Sequence, residues 1–412
     1  MFSERSGVHL LGRTQRFLLE LSTILYFFAR NSAIPLVQQY IYFLVARKYN
    51  FTTEENELLL QYLQKEDQLL DPSSSSITPS QAELVNETGL DLMNPDIHSQ
   101  MEQRLLLSHR INEESSLIVL YLNIAELLPS AIVVIFLGCY SDISGKRKFM
   151  MWLPCIGSAI YALGFLLPLY VCSGDIDSPV TKTFFVIACL VSGVSGNVPG
   201  FLSGNASYIS DTDSPRRRSL RLAIVEMSIG LTFGISSLMN GYWISATSHF
   251  EQPLWFVFGC SLLPFVLIFF FLVEPTGEVS SQLGGHPEFS LRSLHCIRHV
   301  FGCKTNGQLK LWAIFFAYQI YVFVQQGQER TFVLFLQNHP LHWSSTQIGM
   351  FIFILYVLAG FGSWPGVPLL QRIVTDLSIA AIALLSKLIG SLLLAVAQGS
   401  FVVYLCKISI LI

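Results

Sequence analysis

Runs of about 20 apolar residues, separated by charged loops, recur along this 412-residue chain and decide what it can fold into. An α-helix of that length crosses the hydrocarbon core of a bilayer. Apolar residue types make up 52% of the chain and charged types 13%, whereas a soluble domain carries about 25% charged residues. The sequence therefore predicts an all-α protein that crosses a membrane many times. The predicted spans are 17–46, 116–139, 149–172, 180–207, 222–245, 253–273, 311–336, 347–370 and 376–397, and a tenth begins near Ser400.

The distribution of Lys and Arg among the loops predicts the orientation of the chain, because cytoplasmic loops carry an excess of both. Basic residues precede the first span and then recur in every second loop. Three of the intervening loops contain no Lys or Arg: 246–253, 337–346 and 398–400. We therefore expect a cytoplasmic N-terminus, residues 1–16. The long first loop, 49–114, then lies outside, where the sequons at Asn50 and Asn86 are candidate glycosylation sites.

A polar stretch after the sixth span predicts the main domain boundary. Residues 274–310 are rich in Gly, Ser and basic residues and form the expected cytoplasmic central loop. The six spans before it predict a six-helix bundle over 17–273, and the spans after it predict a second bundle over 311–412. Two such halves are the plan of many secondary transporters.

Ionisable residues inside the predicted spans point to function, since each is costly in lipid unless it faces a partner or water. The two near span ends, Glu20 and Lys407, are interpreted as anchors at the interface. Glu126, Glu226 and Lys387 lie deeper, which favours a role in pairing or in a cavity. A carboxylate in a cavity can hold and release a proton, so we expect Glu226 and Glu126 to couple transport to protons. The full set within the spans is Glu20, Arg30, Glu126, Glu226, Glu329, Arg330, Lys387 and Lys407.

Small residues follow Glu226 along the same predicted helix, at Gly230, Gly234, Ser237 and Gly241. Such a stripe lets two helices approach closely and slide, although static packing is an equally good interpretation.

The seventh predicted span carries amides as well as charges, which is typical of a helix that lines a wet cavity. Glu329 and Arg330 are adjacent, so they point about 100° apart on a helix and do not pair face to face. We expect these two residues, together with Gln326 and Lys387, to line the cavity that receives a substrate.

The loop between the second and third spans has a specific spacing. From Gly138 it reads Gly-Cys-Tyr-Ser-Asp-Ile-Ser-Gly-Lys-Arg-Lys. Gly138 is interpreted as a point of close helix contact and Gly145 as a tight turn. Asp142 can pair with Lys146 or Arg147, or cap a neighbouring helix end. The loop would then be a latch that breaks and re-forms as two halves rock, and a merely basic loop is the alternative.

This loop resembles the signature of the major facilitator superfamily. Other segments resemble the solute carrier 46 family, which includes the proton-coupled folate transporter. The resemblance implies twelve helices in two bundles, alternating access, and symport of an organic anion (folate-like or a conjugated metabolite) with protons. It implies Glu226 as the coupling carboxylate, a gating loop that contains Asp142, Lys146 and Arg147, and a role for Asp211 ahead of the fifth span. The segments that resemble the family are Pro35–Tyr42, Ser210–Arg221, Glu226–Gly230, Pro340–Trp343 with Ile348–Gly349, and Leu369–Gln371 with Asp376.

Other classes of function find no support in the sequence. No phosphate-binding loop or nucleophile triad stands out, which argues against an enzyme, and we expect no cofactor and no nucleic acid partner. His295, Cys296, His299 and Cys303 fit no structural zinc spacing, so no metal site is predicted. The expected partners are the bilayer, a small organic anion and protons, in the plasma membrane or the lysosomal membrane.

An alternative reading follows from the tenth span. Its roughly 13 residues are only about 20 Å long as a helix, so the second bundle is incomplete as written. A shortened, non-transporting form of such a transporter, or an incomplete version of its sequence, is therefore the second hypothesis. In that case Lys387 and Lys407 would lack partners.

Overall fold

The fold of the described part of the chain is entirely helical. Among these residues there is no strand, and the expectation of an all-α membrane protein is confirmed. Within the described residues, five helices are long and apolar enough to cross a membrane: Glu102–Ser144, Arg147–Val171, Pro179–Thr212, Arg217–Ile244 and Glu251–Phe271. The computed structural model describes residues 2–51, 95–172, 175–213, 215–247, 249–274, 312–325, 350–351, 353–358, 374, 376–395 and 403.

The helices follow the predicted spans in order, and their limits fix the labels used below. The first six spans correspond to α1 (Phe2–Lys48), α2 (Pro95–Ser144), α3 (Arg147–Val171), α4 (Pro179–Val194), α5 (Asn197–Thr212), α6 (Pro215–Thr247) and α7 (Glu251–Val266), which continues as a π-helical turn, Leu267–Phe271. The later helices are α8 (Trp312–Gln325), α9 (350–351 and 353–358) and α10 (Asp376–Ala395).

The predicted first loop, 49–114, is helical at its C-terminal end. Helix α2 begins at Pro95, so the last part of that segment is helical, while residues 52–94 lie outside the described structure. The start of α2 carries many charges but also has an apolar face, because Ile111 is fully buried and Leu107 packs against the core.

The predicted fourth span, 180–207, is broken in its middle. Helix α4 ends at Val194 and α5 begins at Asn197. Between them Gly196 has φ +91° and Asn197 has φ +45°, both in the left-handed region. A left-handed residue ends a right-handed helix, and glycine and asparagine adopt this conformation at the lowest cost. The apolar pattern continues through the break, so hydropathy does not show it.

Close helix contacts hold the first six spans together. Helix α3 packs against α4, α5 and α7, while α1 packs against α6 and α7. A Cβ added to Gly164 of α3 would overlap Ala188 of α4, so the small residues set this crossing. Such packing matters in lipid, where lipid tails are as apolar as the side chains and helix association depends on van der Waals fit.

Two apolar clusters lie on either side of a polar layer in this bundle. One contains Leu19, Tyr26 and Phe27 of α1 together with Phe201 and Ile268. The other contains α1 residues from Ala33 to Ala46, packed with partners from α3, α4 and α7. Arg30 lies between the two sets on α1, near the middle of the predicted span 17–46. The fold therefore encloses a cation at about half the depth of the bundle.

Candidate functional site: a buried ion pair beside a broken helix

Arg30 and Glu126 form a buried ion pair between α1 and α2. Nη2 of Arg30 donates a hydrogen bond of 2.6 Å to Oε1 of Glu126. Both residues are 3% exposed. The Ser192 hydroxyl of α4 donates to the same carboxylate oxygen, also at 2.6 Å. Three spans therefore meet at one oxygen atom, and each charge of the pair compensates the other inside the bundle.

The remaining donors of Arg30 have no acceptor among the described residues. The Tyr161 ring of α3 lies 4.8 Å from Arg30 Cζ and makes a cation–π contact. Within the described residues, Nε and Nη1 of Arg30 are buried without a hydrogen-bond partner, and so is the hydroxyl of Tyr26, one helical turn away. Buried donors without acceptors are uncommon in proteins, because each one loses its hydration.

Helix α2 holds both sides of the break in the fourth span. Glu126 binds Ser192 in the last turn of α4. One turn further along α2, the Ser130 hydroxyl donates a 3.1 Å hydrogen bond to the carbonyl oxygen of Gly196, at the break itself. A Cβ added to Gly193 would overlap the carbonyl oxygen of Glu126, so the two backbones are in close contact here.

Glu226 occupies a different position, on the face of α6 that meets the second half of the chain. Gly230 and Gly234 lie one and two turns beyond it on the same face. A Cβ on Gly230 would lie 3.2 Å from Tyr356 of α9, and a Cβ on Gly234 would lie 3.1 Å from Phe353. The predicted close approach is thus present at these two glycines. A Cβ on Gly241 would meet no described atom within 4 Å.

Within the described residues, the Glu226 carboxylate has neither a hydrogen-bond partner nor an ion-pair partner, and it is exposed. Glu126, by contrast, is paired and buried. The sequence predicts a proton-coupling role for both residues, and the structure places them in opposite electrostatic settings.

The predicted gating residues come together at the end of the bundle where α2 meets α3. Arg147 Nε donates a 2.8 Å hydrogen bond to Oδ2 of Asp211, at the end of α5, and Arg147 also pairs with Asp142. Gly145 has φ +69°, as a tight turn requires, and Lys146 is exposed.

The interpretation of Gly138 as a close helix contact is wrong for the described structure. A Cβ on Gly138 would meet no described atom within 4 Å.

Sequence reasoning missed Asp213, which is more deeply buried than Asp211. The Asp213 side chain pairs with Arg221 and lies 3.3 Å from Arg16 of α1. Glu20, interpreted as an anchor, lies 3.6 Å from Arg221 in the same cluster. Asp213 lies three residues before the basic run that begins at Arg216, which is a signal for pairing. The sequence alone does not show which of Asp211 and Asp213 is the more buried, because burial depends on helix packing.

Lys387 of α10 has partners, contrary to the expectation for an incomplete second bundle. It donates a hydrogen bond to Gln325 of α8, and its Nζ lies 4.3 Å from the centre of the Tyr321 ring.

Asn50 follows the C-terminus of α1 and has φ +52°. The other predicted site residues lie outside the described part of the chain: Asn86, Gln326, Glu329 and Arg330, together with the anchor Lys407.

The described helices hold an ion pair between them, contain a break in the fourth span and carry an ion-paired loop after the second, features that membrane transporters also have. Residues 106–412 match the family model of the Major Facilitator Superfamily. The chain belongs to this superfamily, and its fold and relatives are those of transporters and not of enzymes.

Known proteins similar to the chain are consistent with that assignment. It is 24% identical over 401 residues to the lysosomal proton-coupled steroid conjugate and bile acid symporter SLC46A3 of Rattus norvegicus, a match that covers 95% of this chain and 76% of that protein. It is 24% identical over 280 residues to the proton-coupled folate transporter of Rattus norvegicus, covering 68% of this chain and 58% of that protein. The resemblance to solute carrier 46 proteins is thereby confirmed.

A solved structure shows the same fold. The crystal structure of the human organic anion transporter MFSD10 (TETRAN) superposes with a TM-score of 0.60 at 17% sequence identity, and the match covers 97% of this chain and 83% of that chain.

Proposed function

We propose that this protein is a secondary active transporter that moves an organic anion together with protons by alternating access. The observation that carries this proposal is the position of Glu226. Its carboxylate lies on the α6 face that contacts α9, without a cationic partner in the described residues. A carboxylate between two moving halves meets each compartment in turn, so it can take up a proton on one side and release it on the other.

The glycines that follow Glu226 support relative movement of the halves. Gly230 and Gly234 allow Tyr356 and Phe353 to approach the α6 backbone. At these two glycines α6 presents no side chain that could interlock with its partner helix. The halves can therefore rock against each other at low cost.

The cluster around Arg147 supports a gate at one end of the pathway. Arg147 joins Asp142, on the loop side, to Asp211 on α5. These charges are at least partly exposed, so the pairs are weak individually and can break and re-form during a transport cycle. In this proposal Gly145 and Lys146 complete the gating loop that begins at Gly138.

The relatives indicate the class of substrate. One is named as a proton-coupled symporter of steroid conjugates and bile acids, and another as a proton-coupled folate transporter. These are bulky organic molecules with a carboxylate or sulfate group. We therefore assign a bulky organic anion as substrate, with Lys387, Gln326, Glu329, Arg330 and Asp211 as candidate cavity residues.

The proposed topology follows from the loop charges. The N-terminus, 1–16, and the central loop, 274–310, are cytoplasmic and separate the bundles 17–273 and 311–412. The sequons at Asn50 and Asn86 then face the exterior or the lumen, where they can be glycosylated. The host membrane is the plasma membrane or the lysosomal membrane.

Uptake of a radiolabelled steroid sulfate by proteoliposomes tests the function. For the wild type we expect uptake that rises when the outside is acidified. Glu226→Gln is expected to abolish that rise, whereas Glu251→Gln, which neutralises an exposed carboxylate at the start of α7, is expected to retain it. Acid-stimulated uptake that survives in Glu226→Gln would rule out Glu226 as the coupling group.

A further inference from the structure

We propose that the N-terminal end of α6 and the start of α1 together bind the phosphate group of an anionic lipid. The site consists of Arg16 on α1 and of Arg217, Arg218 and Arg221 in the first two turns of α6. In the proposed topology it lies at the cytoplasmic surface of the membrane. It depends neither on the proposed substrate nor on proton coupling.

The first turn of α6 carries charges that do not suit the start of a helix. Three arginines follow Pro215, and this turn contains no acidic residue. The N-terminus of a helix has a partial positive charge and free N–H groups, so cations there are unfavourable and anions are favourable. An anion bound at this end would compensate both the arginines and the helix dipole.

Arg221 supplies an independent observation at the same place. The residue is 6% exposed, and its Nη1 pairs with Asp213, two residues before α6 begins. Its guanidinium therefore reaches back from the second turn to the start of the helix. Within the described residues, Nε and Nη2 of Arg221 are buried without a hydrogen-bond acceptor. These two nitrogens form one edge of the guanidinium, and their parallel N–H groups match two oxygens of a phosphate.

Two side chains of α1 lie beside this cluster, and both are partly exposed. The Arg16 side chain is 38% exposed, and its Nη2 lies 3.3 Å from Oδ1 of Asp213. The Glu20 side chain is 33% exposed, and its Oε1 lies 3.6 Å from Nε of Arg221, which is too long for a hydrogen bond. A phosphate that arrives from the surface meets Arg16 first, and it takes the place beside Nε of Arg221 when Glu20 turns towards water.

The cluster has an excess of positive charge. Its two carboxylates are Asp213 and Glu20, and the backbone carbonyl oxygen of Asp213 also accepts a 3.1 Å hydrogen bond from Nε of Arg218. The neighbouring Asp211 is held by Arg147 and does not reduce the excess. The four arginines of the site therefore exceed its carboxylates by two charges, which suits an anionic headgroup.

The position of the arginines favours a lipid over a soluble phosphate compound. Arg16 directly precedes the predicted span 17–46, and Arg221 directly precedes the predicted span 222–245. The next residues, Phe17 and Leu222, are large apolar side chains that are exposed in the described structure. Guanidiniums at the ends of spans, next to exposed apolar side chains, lie where lipid phosphates meet the acyl chains. The ligand is therefore an anionic phospholipid of the cytoplasmic leaflet.

The test is binding of phosphatidylinositol 4-phosphate to the full chain in nonionic detergent, measured by native mass spectrometry. For the wild type we expect an affinity at least about tenfold higher than for phosphatidylcholine. Inositol 1,4-bisphosphate, which is the headgroup without acyl chains, is the competitor that distinguishes the two sources of phosphate. It should displace the lipid only weakly, and an affinity equal to that of the lipid would overturn the assignment of a lipid.

Two double variants distinguish a defined site from general attraction between opposite charges. Arg217→Gln with Arg218→Gln removes two charges that are at least partly exposed, and it should weaken lipid binding about tenfold. Arg221→Gln with Asp213→Asn removes the buried donor together with its partner, so the net charge is unchanged and Arg221 leaves no unpaired carboxylate behind. We expect this variant to bind the lipid about tenfold more weakly as well, because the edge with two parallel N–H groups is lost.

Arg47 and Arg110 provide the matched control. Both are exposed, and they lie at the end of α1 and in the early part of α2, on the opposite side of the membrane in the proposed topology. Arg47→Gln with Arg110→Gln removes two positive charges and is expected to leave lipid binding unchanged. Glu20→Gln is expected to strengthen binding several-fold, because its carboxylate would no longer repel the phosphate.

Three results would overturn the site. One is an affinity of the wild type for phosphatidylinositol 4-phosphate no higher than for phosphatidylcholine. Another is unchanged lipid binding in Arg221→Gln with Asp213→Asn, which would leave only general charge attraction. The third is an equal loss in the control with Arg47→Gln and Arg110→Gln. Acid-stimulated uptake is measured separately, so failure of the lipid site and failure of the proposed function are distinguishable.

Discussion

Arg147 donates a 2.8 Å hydrogen bond from Nε to Oδ2 of Asp211 and thereby ties the loop after the second span to the end of the fourth. Arg147 also pairs with Asp142, so one guanidinium holds two carboxylates from different elements. This bridge must open if the two helix ends are to separate during transport.

Asp211→Asn should therefore slow transport rather than weaken substrate binding. The amide keeps the shape of the side chain but loses the charge that holds Arg147. We expect the maximal rate of anion uptake to fall several-fold while the KM stays the same. Asp175→Asn, in the loop before α4, is the control and should behave as the wild type. A raised KM with an unchanged maximal rate would show that Asp211 acts on the substrate and not on the gate.

Gly193→Ala should destabilise the bundle, because the added methyl group would overlap the carbonyl oxygen of Glu126. Overpacking of this kind costs about 1–3 kcal/mol. The measurement is the midpoint of thermal unfolding of the detergent-solubilised protein. Gly259→Ala is the matched control, since a Cβ at this α7 position would meet no described atom within 4 Å. Equal midpoints for the two variants would contradict the close contact between α2 and α4.

Gly196→Ala should disturb the break in the fourth span. At φ +91° an alanine is strained by about 1–2 kcal/mol, and its Cβ would lie 3.1 Å from Leu137 Cδ1. Gly200→Ala is the control on the same span, since it is helical and its Cβ would make an ordinary contact of 3.5 Å with Pro154. We expect lower thermal stability for Gly196→Ala only. A larger loss of thermal stability in Gly200→Ala than in Gly196→Ala would contradict a break at Gly196.

Asp213→Asn should be far more damaging than the loss of a comparable exposed carboxylate. Asp213 is fully buried between Arg16 and Arg221, so its neutralisation leaves Arg221 inside the protein without its main partner. Breaking a buried pair costs about 3–5 kcal/mol. Asp177 also contacts two cations, Lys48 at 3.3 Å and Lys182 at 3.7 Å, but its side chain is 52% exposed.

Asp177→Asn is accordingly expected to cost about 1 kcal/mol or less. Thermal unfolding of the two variants side by side decides the comparison. A larger loss for Asp177→Asn would mean that the cluster around Asp213 does not hold α1 to α6.

Much of the fold could be predicted because the lengths of the apolar runs and the alternation of basic loops are direct consequences of the bilayer. The turn at Gly145 and the pairing of Asp142 with Arg147 also follow from local spacing. The break at Gly196 and Asn197 could not be read in the same way, since small and polar residues occur elsewhere in the span without breaking it. Only the φ angles of the folded backbone distinguish the two cases.

The site was predicted less completely than the fold. Charges within spans identified Glu126 as a candidate, but Arg30 was only one of the eight ionisable residues in the spans, and the sequence does not show that the two pair with each other. Pairing depends on how each helix is rotated about its axis, which is set by packing of the whole bundle. The same limit applies to Lys387, whose contacts with Gln325 and Tyr321 join two helices that are far apart in sequence.

The central claim is that anion and proton move together, and simultaneous recording of both fluxes tests it most directly. Purified protein is reconstituted into liposomes that contain a pH-sensitive dye, and a radiolabelled steroid sulfate is added outside without an imposed pH gradient. Proton-coupled symport predicts that entry of the anion acidifies the interior, and that Glu226→Gln abolishes this acidification. Anion entry without any change in internal pH would contradict proton-coupled symport.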